Sequence, residues 1–234
     1  MKTRSQSAFT LIEMLVVISI IAVLAAFAVP ALTSALTKGQ MTGTMNNGRQ
    51  LYLAAQQMAL DGAANSDPNL VWPGDDTTTL GTLNNYMSRL VQNDYLKPGD
   101  VQKLLSGPGA SAAVATAGSG ATQTVTITGN SAFKIYPVAD ANASNAIFAV
   151  SSNYIYAQAL TPQTAGGAPN NPFGDKGFVV QRKGGDASIL RKNNATPGAG
   201  AAGTATFEAS VGKVPADQQG TVTPGDPAGY LHQP

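Results

Sequence analysis

The sequence predicts an α+β protein: one long N-terminal α-helix, its first half of membrane-spanning character, packed on a small antiparallel β-sheet domain. Three observations carry this. Residues 9–32 are apolar over the length of a bilayer span, with Glu13 as their one charge. From Met41 onward apolar residues recur every three or four positions, the spacing of a helix face. Beyond Thr122 the period shortens to two, in β-branched runs separated by Gly, Asn and Asp. One long helix followed by successive strands is an α+β order rather than an alternating βαβ one.

The first stretch sets the terms for the rest. A span needs about 20 apolar residues, and residues 14–32 meet that with only Ser19 and Pro30 as interruptions. A carboxylate is unfavourable in such a segment, so Glu13 calls for a cation. Residues 1–8, Met-Lys-Thr-Arg-Ser-Gln-Ser-Ala, read as a short basic leader ending in a small residue. A cut after Ala8 frees an α-amino group on Phe9, about one helical turn before Glu13. In a bundle of identical helices, Glu13 of one subunit can then meet the Phe9 amine of its neighbour. Only the correct axial stagger neutralises both charges, so the pair would act as an assembly device.

Ala8-Phe9-Thr10-Leu11-Ile12-Glu13 followed by an apolar helix resembles the prepilin-type signal of type IV pilins and type II secretion pseudopilins. The resemblance implies cleavage by a prepilin peptidase between Ala8 and Phe9, N-methylation of Phe9, and Glu13 as the assembly carboxylate. It also implies a helix-kinking role for Pro30, which lies 21 residues after Phe9. Two positions depart from the pattern: the residue before the cut is Ala8 rather than Gly, and Ala22 stands where the family often has Gly. The resemblance covers about the first 35 residues.

The same stretch has two rival readings. Lys2 and Arg4 with Ala26-Phe27-Ala28 form the n-region and A-x-A site of a secretory signal peptide, which would leave Val29 as the mature N-terminus. A charge within the apolar run, the run's length and Pro30 close behind the supposed cut argue against it. The third reading is a plain membrane anchor.

Composition narrows the function. Charged residues make up only 12% of the 234, so the surface is expected to be neutral and built from Asn, Gln, Ser and Thr. Loss of Lys2 and Arg4 leaves 12 basic against 13 acidic groups. No basic excess exists to grip phosphates, so no nucleic-acid partner is expected. There is no Cys, hence no disulfide and no thiolate metal site. Lys2 and Arg4 precede the span and the next basic group is Lys38, which favours a cytoplasmic N-terminus and a periplasmic C-terminal domain.

Residues 33–60 read as an amphipathic continuation of the helix, with Met41, Met45, Gly48, Tyr52, Ala55 and Ala59 on its inner stripe and Leu51 and Leu53 beside it. Asp61-Gly62 is expected to stop it, for a total of about 75–80 Å from Phe9. Gly39 and Gly43 form a small-xxx-small pair, which either admits a neighbouring helix or only loosens this one. The globular head is assigned to residues 61–192. Residues 61–79 read as a loop around the single Trp72, a second helix is expected over 82–93 with Thr82 as its N-cap, and Asp100 is expected to cap a short third helix. Residues 107–121 are mostly Gly, Ala and Ser and read as a flexible loop. Strands are expected over 122–128, 133–138, 146–157 (broken at Ser151-Ser152-Asn153), 178–182 and 188–191, the last two joined by a hairpin turn. Residues 193–234, rich in Gly, Ala and Pro, are expected to be a mostly disordered tail, apart from an edge strand over Thr204–Val211.

No catalytic or cofactor constellation emerges. His232 is the one histidine and has no nucleophile beside it; the Gly-rich runs lack the Lys-Ser/Thr ending of a phosphate loop. Asp140, Asn142 and Ser144 alternate like the opening of a Ca²⁺ loop, but Asn145 and Ser151 occupy the places that need Gly and Glu. Major pseudopilins often carry Ca²⁺ in a C-terminal loop, which makes Asp175 and Asp186 weak candidate ligands. Tyr136, Tyr154 and Tyr156, if exposed in line on a sheet face, would instead suit a carbohydrate-binding module; otherwise they are core.

The expected function is therefore non-enzymatic: a filament subunit, polymerised through its N-terminal helices, most consistent with a type II secretion pseudopilin that works with an inner-membrane assembly platform and minor pseudopilins. The alternative is a type IV pilin of a surface pilus serving adhesion, motility or DNA uptake.

Overall fold

The computed structural model describes residues 10–162, 171–217 and 219–232. It divides into two units, 1–39 and 40–234, and the first helix, α1 (Leu11–Asn65), contributes to both. In the first unit every residue from Leu11 to Leu36 is exposed.

In the second unit, α1 turns one face inward. Met41, Thr44, Gly48, Leu51, Tyr52, Ala55 and Met58 are buried, whereas Leu53 is 60% exposed. The helix runs to Asn65, five residues past the expected stop at Leu60. Gly62 is not its cap. It lies inside the helix, at a position where a Cβ would sit 1.8 Å from the Leu70 carbonyl oxygen, so only glycine fits there. The chain leaves the helix through Ser66, at φ 54°, and the Asp67 N–H closes back on the Gly62 carbonyl at 2.9 Å. This is the Schellman pattern, which satisfies carbonyls left open at the helix end.

Helix α2 (Leu83–Gln92) matches expectation: the Thr82 hydroxyl accepts from the Asn85 N–H at 3.2 Å, and Leu83, Met87, Leu90 and Val91 are buried. Helix α3 (Pro98–Leu105) starts at Pro98, so Asp100 lies in its first turn and is not its cap. The missing N–H of proline costs nothing at that position.

The 107–121 stretch is not merely a loop. It contains β1 (Ala112–Ala117), antiparallel to β2 (Thr124–Gly129). Alanine has little intrinsic strand preference, but α2 fixes the partner strand: the Val125 N–H donates to the Ser88 hydroxyl at 2.8 Å and the Ile127 N–H to Asn84 Oδ1 at 3.0 Å.

The main sheet is antiparallel in the order β3 (Phe133–Ile135), β4 (Ile147–Ser151), β5 (Phe178–Arg182), β6 (Ala187–Leu190). Phe148 and Val179 join Leu51, Met58, Trp72 and Leu83 in one apolar cluster, while Ile147, Val150, Phe178 and Val180 join a second with Tyr154, Tyr156, Phe207 and Val211. The central strands are thus covered on both faces, which explains why β4 and β5 are apolar without a polar alternate face.

The second cluster depends on the C-terminal residues, so the tail expectation does not hold for the described part. Residues Gly200–Ser210 form helix α4, not an edge strand. Phe207 and Val211 stand four apart on one helical face and are buried. Farther on, Leu231 exchanges both backbone hydrogen bonds with Ile135 at 2.9 and 2.7 Å and covers the free edge of β3.

Candidate assembly site

The N-terminal residues of interest begin at Thr10, since Ala8 and Phe9 lie outside the described residues. Thr10 and Glu13 form a reciprocal cap at the start of α1. The Thr10 N–H donates to Glu13 Oε2 at 2.7 Å, the Thr10 hydroxyl donates to the same oxygen at 2.8 Å, and the Glu13 N–H donates to the Thr10 hydroxyl at 3.3 Å. Thr-x-x-Glu is the capping-box spacing, in which each side chain satisfies an open donor of the other's backbone. A carboxylate in the first turn also faces the positive end of the helix dipole. Thr10 was not among the residues the assembly argument singles out; its signature before an apolar run is readable in the sequence.

Beyond Glu13 the helix offers lipid or other helices an almost unbroken apolar surface. From Leu11 to Leu36, 15 large apolar side chains are exposed. A helix apolar on all sides is stable only when something covers it, whether a bilayer or other helices. Two of its polar groups are turned inward on their own backbone: the Ser19 hydroxyl donates to the Val16 carbonyl at 2.7 Å and the Thr33 hydroxyl to the Pro30 carbonyl at 2.9 Å. Such self-satisfaction is what a hydrocarbon surrounding demands. Pro30 lies within the helix. Having no N–H, it leaves the carbonyl of Ala26 without its helical donor. Farther along, a Cβ on Gly39 or Gly43 would meet nothing within 4 Å.

The candidate metal ligands are already engaged by cations. Asp175 lies 3.1 Å from the Lys192 ammonium and 3.9 Å from that of Lys176, and the Lys192 hydrogen bond holds its carboxyl below the usual range. Asp186 pairs with Arg182. No group of three or more His, Asp or Glu converges as a metal site among the described residues. In the Asp140 region, Asn142 Oδ1 accepts from the Ala139 N–H at 2.6 Å, and the Lys183 ammonium donates to the Asp140 and Asn142 carbonyls. That is an Asn/Asp-rich turn closed by a side-chain acceptor and an internal cation.

Tyr136, Tyr154 and Tyr156 do not form an exposed platform. All three are fully buried, and their hydroxyls donate to Asp226, the Ala195 carbonyl and the Gly212 carbonyl. Burial pushes the phenols of all three above their ordinary range. Trp72 is core as well, packed edge-on against Phe148 with ring centres 5.7 Å apart.

Residues 3–29 match the prokaryotic N-terminal methylation motif. The chain is 33% identical over 81 residues to a type IV major fimbrial protein FimA of Dichelobacter nodosus, covering 33% of this chain and 52% of that one. A second FimA of the same organism is 34% identical over 67 residues, covering 29% of this chain and 43% of the relative. The chain thus spans about half the length of the curated relatives it matches. No solved structure matches it.

Proposed function

We propose that the chain is a member of the type IV pilin family, on the strength of its N-terminal methylation motif and its likeness to two fimbrial proteins, and that it is a structural, non-enzymatic subunit of a helical filament held together by α1. The observation that carries this is the first unit's surface: apolar on every side from Leu11 to Leu36, with one carboxylate at its start. A membrane holds such a helix before assembly, and sister helices hold it afterwards.

In this reading a prepilin peptidase removes residues 1–8 between Ala8 and Phe9, and Phe9 is N-methylated. Glu13 of one subunit then meets the Phe9 amine of the next. Pro30 kinks or loosens the helix where its backbone bond is missing. The precursor spans the inner membrane once, with Lys2 and Arg4 on the cytoplasmic side and the head outside it. No nucleic-acid partner follows from its neutral charge.

The filament we favour is a surface pilus, because the named relatives are major fimbrial proteins. Cation pairing of Asp175 and Asp186 also speaks against a Ca²⁺ loop of the kind that resemblance to a major pseudopilin would suggest. The second reading is a type II secretion pseudopilus with its assembly platform and minor pseudopilins. The absence of any Cys favours it, since the head then lacks a disulfide to protect it outside the cell. Expression of the chain with an assembly machinery, followed by electron microscopy and mass measurement of sheared fibres, tests both levels. Fibres built of subunits that begin at N-methyl-Phe9 support the filament reading; subunits beginning at Met1 or Val29 overturn it. Long fibres released by shearing favour the pilus, and short fibres retained in the periplasm the pseudopilus.

A further inference from the structure

A polar cavity of about 390 Å³ opens in the head, within the roughly 300–1,000 Å³ of small-molecule sites. The six residues that give it character are Lys134, Asn153, Gln158, Asp226, Tyr230 and His232. None of them belongs to α1 or to the polymerising surface.

Its base is an ion pair. The Lys134 ammonium lies 2.7 Å from Asp226 Oδ2 and also donates to the Tyr154 carbonyl at 2.9 Å, while the Tyr136 hydroxyl donates to Asp226 Oδ1 at 2.6 Å. Both charges are nine-tenths shielded and neutralise each other. The base is therefore rigid and polar but selects neither an anion nor a cation. Beside it, Asn153 is 7% exposed and spends both amide protons on the Gly174 and Gly177 carbonyls, at 2.9 Å each. That fixes the amide and leaves Oδ1 buried with no donor. Buried acceptors are nearly always satisfied in folded proteins, so a donor from outside the chain, a ligand hydroxyl or a water, fits here. At the rim, Tyr230 and His232 stack with ring centres 4.5 Å apart and planes 25° apart, and the exposed Gln158 amide offers both a donor and an acceptor.

We propose that this cavity binds a neutral saccharide unit. Each sugar hydroxyl both donates and accepts, which suits a fixed lone acceptor at Asn153 and a two-way amide at Gln158. The C–H face of a pyranose is weakly positive and lies against an aromatic face such as the Tyr230–His232 stack presents. A neutralised base with no spare charge gives phosphates and carboxylates no advantage. The inference does not require polymerisation. If the chain does polymerise, one weak site per subunit becomes a multivalent array.

The test uses the mature full-length protein, ¹⁵N-labelled, in a phosphocholine-headgroup detergent, since glycosidic detergents would themselves carry the ligand class. Cellobiose, maltose and diacetylchitobiose are titrated separately, and inorganic phosphate in parallel. At least one saccharide should shift the Asn153 and Gln158 side-chain amide signals saturably, and phosphate should not. Gln158→Ala and His232→Ala, both at exposed positions, should each weaken binding about tenfold, the scale of one lost contact, with unchanged thermal unfolding. No saturable shift with any of the three sugars, shifts with phosphate alone, or parental affinity in both variants would overturn the proposal.

Discussion

Thr10 and Glu13 share one oxygen: the backbone N–H and the hydroxyl of Thr10 both reach Glu13 Oε2, at 2.7 and 2.8 Å. The same carboxylate that the assembly reading reserves for a neighbour's amine thus also organises the first turn of its own helix. The two roles separate by substitution. Glu13→Gln keeps an acceptor at the third helical position and so keeps the cap, but it removes the charge. It should leave membrane insertion and cleavage intact and lower filament yield nearly as far as Glu13→Ala does. Normal yield of Glu13→Gln fibres in a shearing assay would show that capping, and not charge pairing, is what the residue supplies.

Three glycines of α1 give contrasting expectations. At Gly62 a Cβ would sit 1.8 Å from the Leu70 carbonyl oxygen, with backbone on the other side of the clash. Gly62→Ala should destabilise the head by about 3 kcal/mol, as overpacking against a fixed neighbour does. At Gly48 the nearest atom would be 3.2 Å away, at the end of the Phe133 ring, and a smaller loss is expected. At Gly43 nothing lies within 4 Å, so Ala should stabilise the helix by up to about 1 kcal/mol. Urea unfolding of the three variants gives the order. A Gly43→Ala protein that is more stable yet assembles poorly would locate a close helix contact between subunits.

These glycines also show what a sequence can and cannot reveal. The helix periodicity from Met41 onward was plain, and so were α2, its Thr82 cap and the β5–β6 hairpin, because each is encoded locally. Gly62 resembles a helix stop, but its cause is a tertiary approach by Leu70 that no neighbouring residue announces. Strand β1 is hidden for a similar reason: Ala112–Ala117 has no alternation of its own, and Val125 and Ile127 across the ladder supply the buried face. At α4 the β-branched Thr204 and Thr206, with Val211 just past the helix end, suggest a strand, whereas the interspersed alanines and the four-residue step from Phe207 to Val211 favour the helix that forms. Of the assembly site, Glu13 was legible as an isolated charge. Lys134 and Asp226, by contrast, are 92 residues apart and meet only through the fold.

Arg182 holds α4 to the sheet. Its side chain is buried; Nε donates to the Val211 carbonyl at 3.1 Å, and the two terminal nitrogens reach the Ser210 carbonyl and Asp186. A guanidinium at a helix C-terminus satisfies open carbonyls and faces the negative end of the dipole. Arg182→Ala should cost about 3 kcal/mol, or roughly 6–12 °C in Tm for a protein of this size. Arg182→Lys should recover only part of it, because one ammonium cannot span the fork. Calorimetry measures the loss, and faster proteolytic cleavage within 200–210 would show that it is α4 that comes loose.

All seven tyrosines have phenols pushed up from the ordinary value of 10, in each case chiefly by burial. Tyr95, whose hydroxyl donates to Asp61 at 2.7 Å, is pushed up to about 12. Between pH 10 and 12 the unfolded chain therefore releases phenolic protons that the folded chain retains. Folding stability must fall as pH rises through that window. The phenolate absorbance of the native protein should stay low at pH 10 and rise only with unfolding. A normal titration near 10 for several tyrosines would mean that the two apolar clusters are looser than described.

Leu53 and Leu60 are 60% and 61% exposed, whereas Leu51, Tyr52, Ala54, Ala55 and Met58 of the same helix are buried. Seven residues apart, they lie on one side of the helix. Neither placement helps the isolated head, because exposed leucines contribute little to folding. On that side they stand among the exposed Gln50 and Gln57, and in the filament reading they are covered by a neighbouring subunit. Leu53→Lys should accordingly change unfolding free energy by no more than about 0.5 kcal/mol while reducing fibre yield several-fold, with precursor processing unaffected. Quantifying sheared fibres against total processed subunit separates the two effects. Should the variant assemble at the parental level, Leu53 is an ordinary exposed apolar residue and the subunit contact ends nearer the N-terminus.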